Sequence, residues 1–208
     1  MYKIYQTRIA PNARRLRIFL AEKGVSDVEY ITVNILKGDN LSEEFRAKNP
    51  FGRIPVLEFE DGSTLSESVA ISRYFEEIQP EPPLFGVGAR ERAEIEMWNR
   101  RVELGFMMPS AIGFRNISGT FKDREYCDPV YGKEIGKAGL KGLKLLDQRL
   151  EDAPFIAGER YSIADATLTA GFDFLLATET VIPADILETS PGLKRWHETM
   201  KTRPSYAA

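Results

Sequence analysis

The stretch RIPVLEFEDGSTLSES, residues 53–68, decides the fold of the first part of the chain. Its two apolar runs are joined by Asp61-Gly62, a pair typical of a β-hairpin turn, so two antiparallel strands are predicted. An Ile54-Pro55 bond opens the first of these strands. Because proline alone makes the cis isomer low in energy, a cis bond and a trans bond in an edge strand both remain open here.

The end of this stretch begins a helix, SESVAISRYFEEI, residues 66–78. Ser66 is the predicted N-cap, and Glu67 and Ser68 fall in the first helical turn. A serine hydroxyl and the free N–H groups of a helix N-terminus can bind a carboxylate, and Glu67 can then accept an ammonium group. Capping of the helix without any ligand is the alternative.

Upstream of the hairpin, strand and helix patterns alternate. YKIYQ (2–6) and VEYITVNI (28–35) are typical of strands, ARRLRIFLAEKG (13–24) is typical of a helix that ends at Gly24, and a short helix is predicted after Ser42. The predicted order of elements is therefore β-α-β-α-β-β-α.

The first helix opens unusually, in TRIAPNARRLRIFLA, residues 7–21. Arg14, Arg15 and Arg17 lie close to its N-terminus, where the helix dipole disfavours cations. Two interpretations remain: an anionic ligand lies there, or the arginines point into solvent. Asn12 falls at the N-cap or in the first turn, where it can cap the helix or donate its amide N–H to an anion.

A second domain follows QPEPPLFG, residues 79–86, whose three prolines cannot continue a helix. The predicted division is a domain at 1–80, a linker at 81–89 and an all-α domain at 90–208. Residues 90–118 predict one long helix kinked at Pro109, followed by helices over 133–152, 162–179 and 191–202. Ser162 and Asp165 predict a capping box at the start of the third of these helices.

Composition excludes several classes of protein. The 208 residues carry a formal net charge of −3, which lacks the basic field of a nucleic-acid-binding protein. No apolar run approaches the ~18 residues of a membrane span, and the N-terminus does not resemble a signal peptide. With the single Cys127 and the single His197, neither a disulfide nor a usual zinc site is expected, and His197 is predicted to pack beside Trp196 on the last helix. A cytoplasmic location is expected.

Four motifs in order resemble the cytosolic glutathione transferase superfamily: LRIFLAEKG, EFRAKNPFGRIPVLEFEDG, LSESVAISRYF and FIAGERYSIADATLTAGF. The chain is particularly similar to the yeast-type glutathione transferase II subgroup and its bacterial relatives. The resemblance implies a thioredoxin-like domain joined to an all-helical domain, hence an α/β plus all-α fold. It also implies a homodimer that uses glutathione as co-substrate and no metal.

The same resemblance implies a role for each matching residue in the glutathione site. Ile54, before a cis Pro55, would pair its backbone with the cysteinyl part of glutathione. Glu67 and Ser68 would hold the γ-glutamyl group. Arg53 and Asn40 would reach the glycyl carboxylate. Gly52 stands where several classes of the family have histidine, so one glycyl contact is expected to be missing.

The group that activates the thiol departs from the family pattern. Members use a tyrosine, serine or cysteine after the first strand, whereas this chain has Ile9, Ala10, Pro11 and Asn12 there. Asn12 is therefore predicted to donate a hydrogen bond to the thiolate. Thr7 and a bound water are the alternatives.

The resemblance implies a small apolar electrophile between the domains, against residues at helical spacing: Met107, Met108, Ala111, Phe114 and Arg115. The same spacing also suits an ordinary core. The predicted activity is conjugation of glutathione to such electrophiles. Glutathione-dependent reduction of disulfides or peroxides is one alternative, and a binding protein of this fold without turnover is the other.

Overall fold

A computed structural model describes all 208 residues, which form two compact units. The first comprises Met1–Pro83 together with Pro204–Ala208, and the second comprises Leu84–Arg203. This differs from a simple division along the chain, because the last five residues pack with the first unit. Within that unit, Tyr206 lies under the guanidinium of Arg14, which is 5.0 Å from the ring centre.

The first unit is built on a four-stranded mixed sheet. Its strands are β1 (Tyr2–Gln6), β2 (Val28–Thr32), β3 (Val56–Glu58) and β4 (Thr64–Ser66). They lie in the order β2-β1-β3-β4, with β1 parallel to β2 and the other neighbours antiparallel. The helices are α1 (Pro11–Glu22), α2 (Glu43–Lys48) and α3 (Ser68–Ile78). The predicted order β-α-β-α-β-β-α is confirmed.

Helical periodicity explains which face of α1 is buried. Leu16, Phe19 and Leu20 recur at helical spacing and are fully buried, as are Ile71 and Phe75 on α3, which packs against α1. Burying side chains of this size stabilises the fold by about 1.5–3 kcal/mol each.

The C-terminal end of α1 holds an unusual buried lysine, Lys23. Its side chain has 0% exposed surface, and its amino group lies 2.7 Å from the carboxylate of Glu76. It also donates to the carbonyl oxygens of Pro80 (3.0 Å) and Pro82 (2.7 Å). The segment that follows α3 is thereby fixed to the end of α1.

The second unit is helical. Its helices are α4 (Gly88–Val102), α5 (Met108–Ser118), α6 (Pro129–Asp152), α7 (Ile163–Thr178) and α8 (Pro191–Lys201). All residues of α7 from Ile163 to Phe172 are buried, and Asp165 is the only charged residue among them. The predicted capping box is present, because Ser162 and Asp165 exchange hydrogen bonds at the start of α7.

The kink predicted at Pro109 is replaced by a π-helical turn over Glu103–Met107, which joins α4 to α5. Pro109 has no N–H, and its ring crowds the carbonyl four residues earlier, so the helix widens before it. That carbonyl belongs to Gly105 and lies against Gly142 of α6. A Cβ atom at position 142 would be only 2.0 Å from the Gly105 oxygen, so glycine is required there.

Candidate functional site

The loop after β1 leads directly into α1, whose N-terminus no side chain caps. Ala10 is the N-cap residue, Pro11 is the first helical residue and Asn12 is the second. Asn12 therefore does not cap the helix. Its side chain is exposed, and its backbone N–H has no acceptor within the chain. Asn12 thus offers hydrogen-bond donors at the positive end of the helix dipole.

Arg15 is the residue that organises this end of the helix. It is 3% exposed, and its Nη2 atom donates to Asn12 Oδ1 at 3.2 Å. Its Nε and Nη2 atoms also donate to Ser68 Oγ, at 3.1 and 2.6 Å. A guanidinium can only donate hydrogen bonds, so the oxygen of the Asn12 amide faces Arg15 and the NH₂ group faces away.

The sequence predicts that the arginines face either a ligand or solvent. Arg14 and Arg17 instead bond acceptors within the chain. Arg17 is as buried as Arg15 and donates to Gln6 Oε1 and to the Arg8 carbonyl (2.7 Å). Burial lowers the pKa of its guanidinium. Arg14 is half-buried and donates to the Tyr206 carbonyl at 3.2 Å. Both guanidinium groups thus donate to acceptors of the protein itself, although the buried Nε of Arg17 has no hydrogen-bond partner.

The N-terminus of α3 is also without a side-chain cap. Ser66 ends β4, so its predicted role as N-cap is wrong; Glu67 is the N-cap residue and Ser68 starts the helix. Glu67 has φ +69° and ψ +111°, a conformation that costs a residue with a side chain about 1–3 kcal/mol. Its carboxylate is exposed and makes no bond within the chain. Simple capping does not explain this arrangement.

Ser68 is prepared to act as a donor. It is 2% exposed, and its oxygen already accepts two hydrogen bonds from Arg15. Because both lone pairs are engaged, the hydroxyl hydrogen is the part of this group that remains for a ligand. Together with the free N–H groups at the start of α3, it can bind a carboxylate.

The Ile54-Pro55 bond is cis. Neither the N–H nor the C=O of Ile54 makes a hydrogen bond within the chain, so both can pair with an extended ligand backbone. Arg53 is exposed, and its guanidinium has no partner in the chain. The Asn49 side chain donates to the Arg53 carbonyl at 2.8 Å and holds this loop in place.

Asn40 braces the same loop. Its Nδ2 atom donates to the Gly52 carbonyl at 2.7 Å. Gly52 has φ +60°, and a Cβ atom there would lie 2.9 Å from the Asn40 carbonyl oxygen. The close approach requires glycine at position 52, which explains in physical terms why no larger side chain stands there.

Of the protein groups considered for the thiol, only Asn12 keeps a free hydrogen. The hydroxyl of Thr7 donates to the Val33 carbonyl, and a hydroxyl has a single hydrogen to give. The Tyr5 hydroxyl donates to Glu58 at 2.9 Å.

Within the second unit, the residues predicted for the electrophile divide into two groups. Met107 is buried and packs on Gly171, so it belongs to the core. Met108 is 49% exposed, and Ala111 is half-buried one helical turn further on. These two present an apolar surface on α5.

The remaining two residues of this group are partly engaged. Phe114 contacts Phe174 edge to face, with ring centres 5.0 Å apart. Arg115 is ion-paired to Glu125 through Nε (2.8 Å) and Nη2, so its charge is balanced within the unit.

Other polar features lie outside this site. The prediction that His197 packs beside Trp196 is confirmed: it is buried on α8 with Nε2 2.7 Å from Asp173. No group of three or more His, Cys, Asp or Glu side chains is arranged to hold a metal ion. No helix has both the length and the hydropathy that a membrane crossing needs. A cavity of about 420 Å³ lies near the start of β1, and no predicted site residue lines it.

The sequence pattern marks Arg15 as a cation at the start of α1, but it does not predict the bonds of this side chain to Asn12 and Ser68. Arg15 lies three residues after Asn12 and four before the buried Phe19, which places it on the inner face of α1, but a cation at that position is ordinarily assigned to solvent. Its partner Ser68 is 53 residues away. Only the folded chain shows that Asn12 and Ser68 both accept hydrogen bonds from Arg15.

Two family models match the chain: the glutathione S-transferase N-terminal domain at residues 9–78 and the glutathione S-transferase C-terminal domain at residues 133–204. Glutathione S-transferase 2 of Saccharomyces cerevisiae is 34% identical, over 97% of this chain and 86% of the relative.

Solved structures agree with these matches. The crystal structure of Gtt2 from Saccharomyces cerevisiae is 34% identical, with a TM-score of 0.91 over 99% of this chain and 98% of that one. A glutathione S-transferase of class Gtt2 from Vibrio parahaemolyticus is 36% identical, with a TM-score of 0.85 over 99% of this chain and 96% of that one. The chain is a glutathione transferase, related to the yeast Gtt2 protein and its bacterial counterparts.

Proposed function

We propose that this enzyme ionises the thiol of bound glutathione and directs the thiolate to small apolar electrophiles. The observation that carries the proposal is that the buried Arg15 bonds both Asn12 and Ser68. Each of these residues lies in the first turn of a helix that no side chain caps. One start offers donors to a sulfur, and the other offers donors to a carboxylate.

Most of the groups that we assign to glutathione have a hydrogen-bonding atom left without a partner in the chain. The hydroxyl and N–H groups at the start of α3 receive the γ-glutamyl carboxylate, and Glu67 receives the adjacent ammonium. The backbone of Ile54, before Pro55, pairs with the cysteinyl residue. Arg53 lies beside Ile54 and takes the glycyl carboxylate; Asn40, whose amide holds Gly52, acts through that loop.

The chemical requirement is modest. A glutathione thiol is only a few per cent ionised at neutral pH, and the thiolate is the nucleophile. Lowering its pKa by one costs about 1.4 kcal/mol of differential stabilisation. One hydrogen bond from Asn12 and the dipole of α1 supply about that much. The thiol proton leaves to water, the sulfur forms a bond to the electrophilic carbon, and the leaving group departs with its electron pair.

We assign the electrophile to the apolar surface of α5. Met108, Ala111 and Phe114 supply its exposed part, and a flexible methionine accepts varied apolar shapes. Met107 lies in the core of the unit, and Arg115 on the same helix as this surface has its charge balanced by Glu125. Small apolar molecules without strong hydrogen-bonding groups fit such a surface best.

The proposal extends to assembly and location. Phe51 is 80% exposed on the loop that Asn40 braces, and we propose a homodimer in which a second copy of the chain covers this ring. We also propose a cytoplasmic location, because the single Cys127 suits a reducing compartment. Replacing Phe51 with Ser should shift the mass measured by light scattering towards that of the monomer. An unchanged mass would place any subunit contact elsewhere.

The central experiment is a pH titration of bound glutathione that follows thiolate absorbance. We expect a thiol pKa at least one below that of free glutathione, and an unshifted value would contradict the proposal. Initial rates with a chlorinated nitroarene are then compared with rates on a hydroxyethyl disulfide. Faster turnover of the disulfide would favour glutathione-dependent reduction over conjugation.

A further inference from the structure

Arg15 touches no atom that reacts, yet it contacts both functional ends of the site. We propose that Arg15 is a positioning residue, which sets the donors at the starts of α1 and α3 together. The inference rests on the proposed function, and it adds that the carboxylate position and the thiol position are energetically coupled through one side chain.

The coupling follows from the geometry of the guanidinium. Its nitrogens lie in one rigid plane, and the single Nη2 atom serves both Asn12 Oδ1 (3.2 Å) and Ser68 Oγ (2.6 Å). A second bond from Nε to Ser68, at 3.1 Å, fixes the plane. Any shift that lengthens the contact to one side chain therefore changes the contact to the other.

The same bonds decide which way each donor points. An exposed asparagine can turn its amide over, but a neighbour that only donates pins the oxygen inward and the NH₂ group outward. Ser68 is constrained in the same sense, because its oxygen accepts twice. Arg15 thus orients a donor towards the ligand at each helix start without contacting the ligand itself.

A lysine cannot replace this arrangement. An ammonium group is a compact point charge without a planar fork, so it does not reproduce the three contacts. Arg17 provides a matched control, because it is equally buried on the same helix but bonds only Gln6 and the Arg8 carbonyl. Arg17→Lys measures the cost of altering a buried arginine of α1 that lies outside the site.

The first test uses Asn12→Ala, Ser68→Ala and the double variant. Ser68→Ala should raise KM for glutathione about tenfold, since it removes a hydrogen bond to a carboxylate. It should also raise the pKa of the bound thiol by about 0.5, although Ser68 has no assigned contact with sulfur. The loss of kcat/KM in the double variant should be at least about threefold smaller than the product of the two single losses.

A truncated substrate separates the two effects. Cysteinylglycine lacks the γ-glutamyl group, so Ser68→Ala should leave its KM unchanged while still raising the pKa of its bound thiol. If Ser68→Ala alters only KM for glutathione, and the single losses multiply, Arg15 has no positioning role and the inference is overturned. The wild-type pKa shift would still stand in that case, so this failure is distinct from failure of the proposed function.

The second test compares Arg15→Lys with Arg17→Lys. Both should lower the melting temperature, but only Arg15→Lys should raise the bound thiol pKa and KM, while Arg17→Lys keeps wild-type values. Equal kinetic effects of the two variants would reduce Arg15 to a structural residue. Should Arg15→Lys fail to fold, the cycle between Asn12 and Ser68 decides the question without it.

Discussion

The indole nitrogen of Trp196 donates a hydrogen bond of 2.9 Å to the carboxyl group of Asp165. The N–H groups of Ile156 and Ser162 donate to the same carboxyl, each at 3.0 Å, and it is completely buried. One side chain thus ties the start of α7 to α8 and to the loop before α7. The stability of the helical unit should depend on this carboxyl.

Burial raises the pKa of Asp165 to about 6 from an ordinary 3.8, against the lowering effect of its hydrogen bonds. Between these values the folded state binds more protons than the unfolded state, so its stability falls as pH rises through this window. The advantage of wild type over Asp165→Asn should therefore shrink by about 2 kcal/mol between pH 4 and pH 6.5. Denaturant unfolding at several pH values measures this, and a constant difference would contradict it.

Asn12→Asp tests the hydrogen-bond donor that we propose for the thiol. The variant keeps the oxygen that faces Arg15 but loses the NH₂ group and adds a negative charge near the sulfur. The pKa of the bound thiol should rise by about one, and kcat at neutral pH should fall about tenfold or more. KM for glutathione should change much less.

The pH–rate profile checks the cause of that loss. A higher thiol pKa predicts that the Asp variant recovers much of its rate at alkaline pH, where the thiol ionises without help. Asn12→Ala should also lower kcat more than affinity. If kcat of both variants equals that of wild type, the role moves to a bound water or to Thr7.

Two substitutions at Glu67 should affect binding equally but stability differently. Glu67→Gly and Glu67→Ala both remove the proposed partner of the substrate ammonium, so both should raise KM for glutathione about tenfold. Only glycine accepts φ +69° without steric cost, so the Gly variant should be more stable than the Ala variant by about 1 kcal/mol. Equal unfolding free energies would show that the backbone relaxes at this position.

The π-helical turn before α5 packs against α6, where Gly105 meets Gly142. Substituting each glycine in turn tests how this contact affects stability. Gly142→Ala places a methyl group 2.0 Å from the Gly105 carbonyl oxygen, and overpacking of this kind costs about 1–3 kcal/mol. At Gly105 itself a Cβ meets nothing within 4 Å, so Gly105→Ala should leave stability unchanged or slightly higher. Urea unfolding of the two variants should separate them clearly.

Much of the fold follows from local pattern. Apolar alternation and the Asp61-Gly62 turn predict the strands, and Ser162 with Asp165 predicts the start of α7, because these signals act over a few residues. Pro109 correctly marks where α4 and α5 are interrupted. The sequence does not specify whether the interruption is a bend or a π-helical turn, since that depends on α6 packing against it.

Local sequence pattern predicts less of the candidate site than of the fold. Ile54, Pro55, Glu67 and Ser68 could be selected from their motif, but the inward direction of Arg15 could not. A buried cation is favourable only where acceptors meet it, and one of its acceptors comes from a distant helix. The strained backbone of Glu67 was hidden for a similar reason, because a serine before a helix ordinarily predicts a cap.

Helix α1 carries Asn12 near one end and is followed at the other by Lys23, whose amino group holds the carbonyl oxygens of Pro80 and Pro82. Twelve residues at 1.5 Å each make this helix a stiff rod of about 18 Å. A rod held at both ends transmits displacement along its axis. We therefore expect that a displacement of the segment after α3 moves α1 along its axis and changes the distance between the Asn12 amide and the thiol that it is proposed to bind.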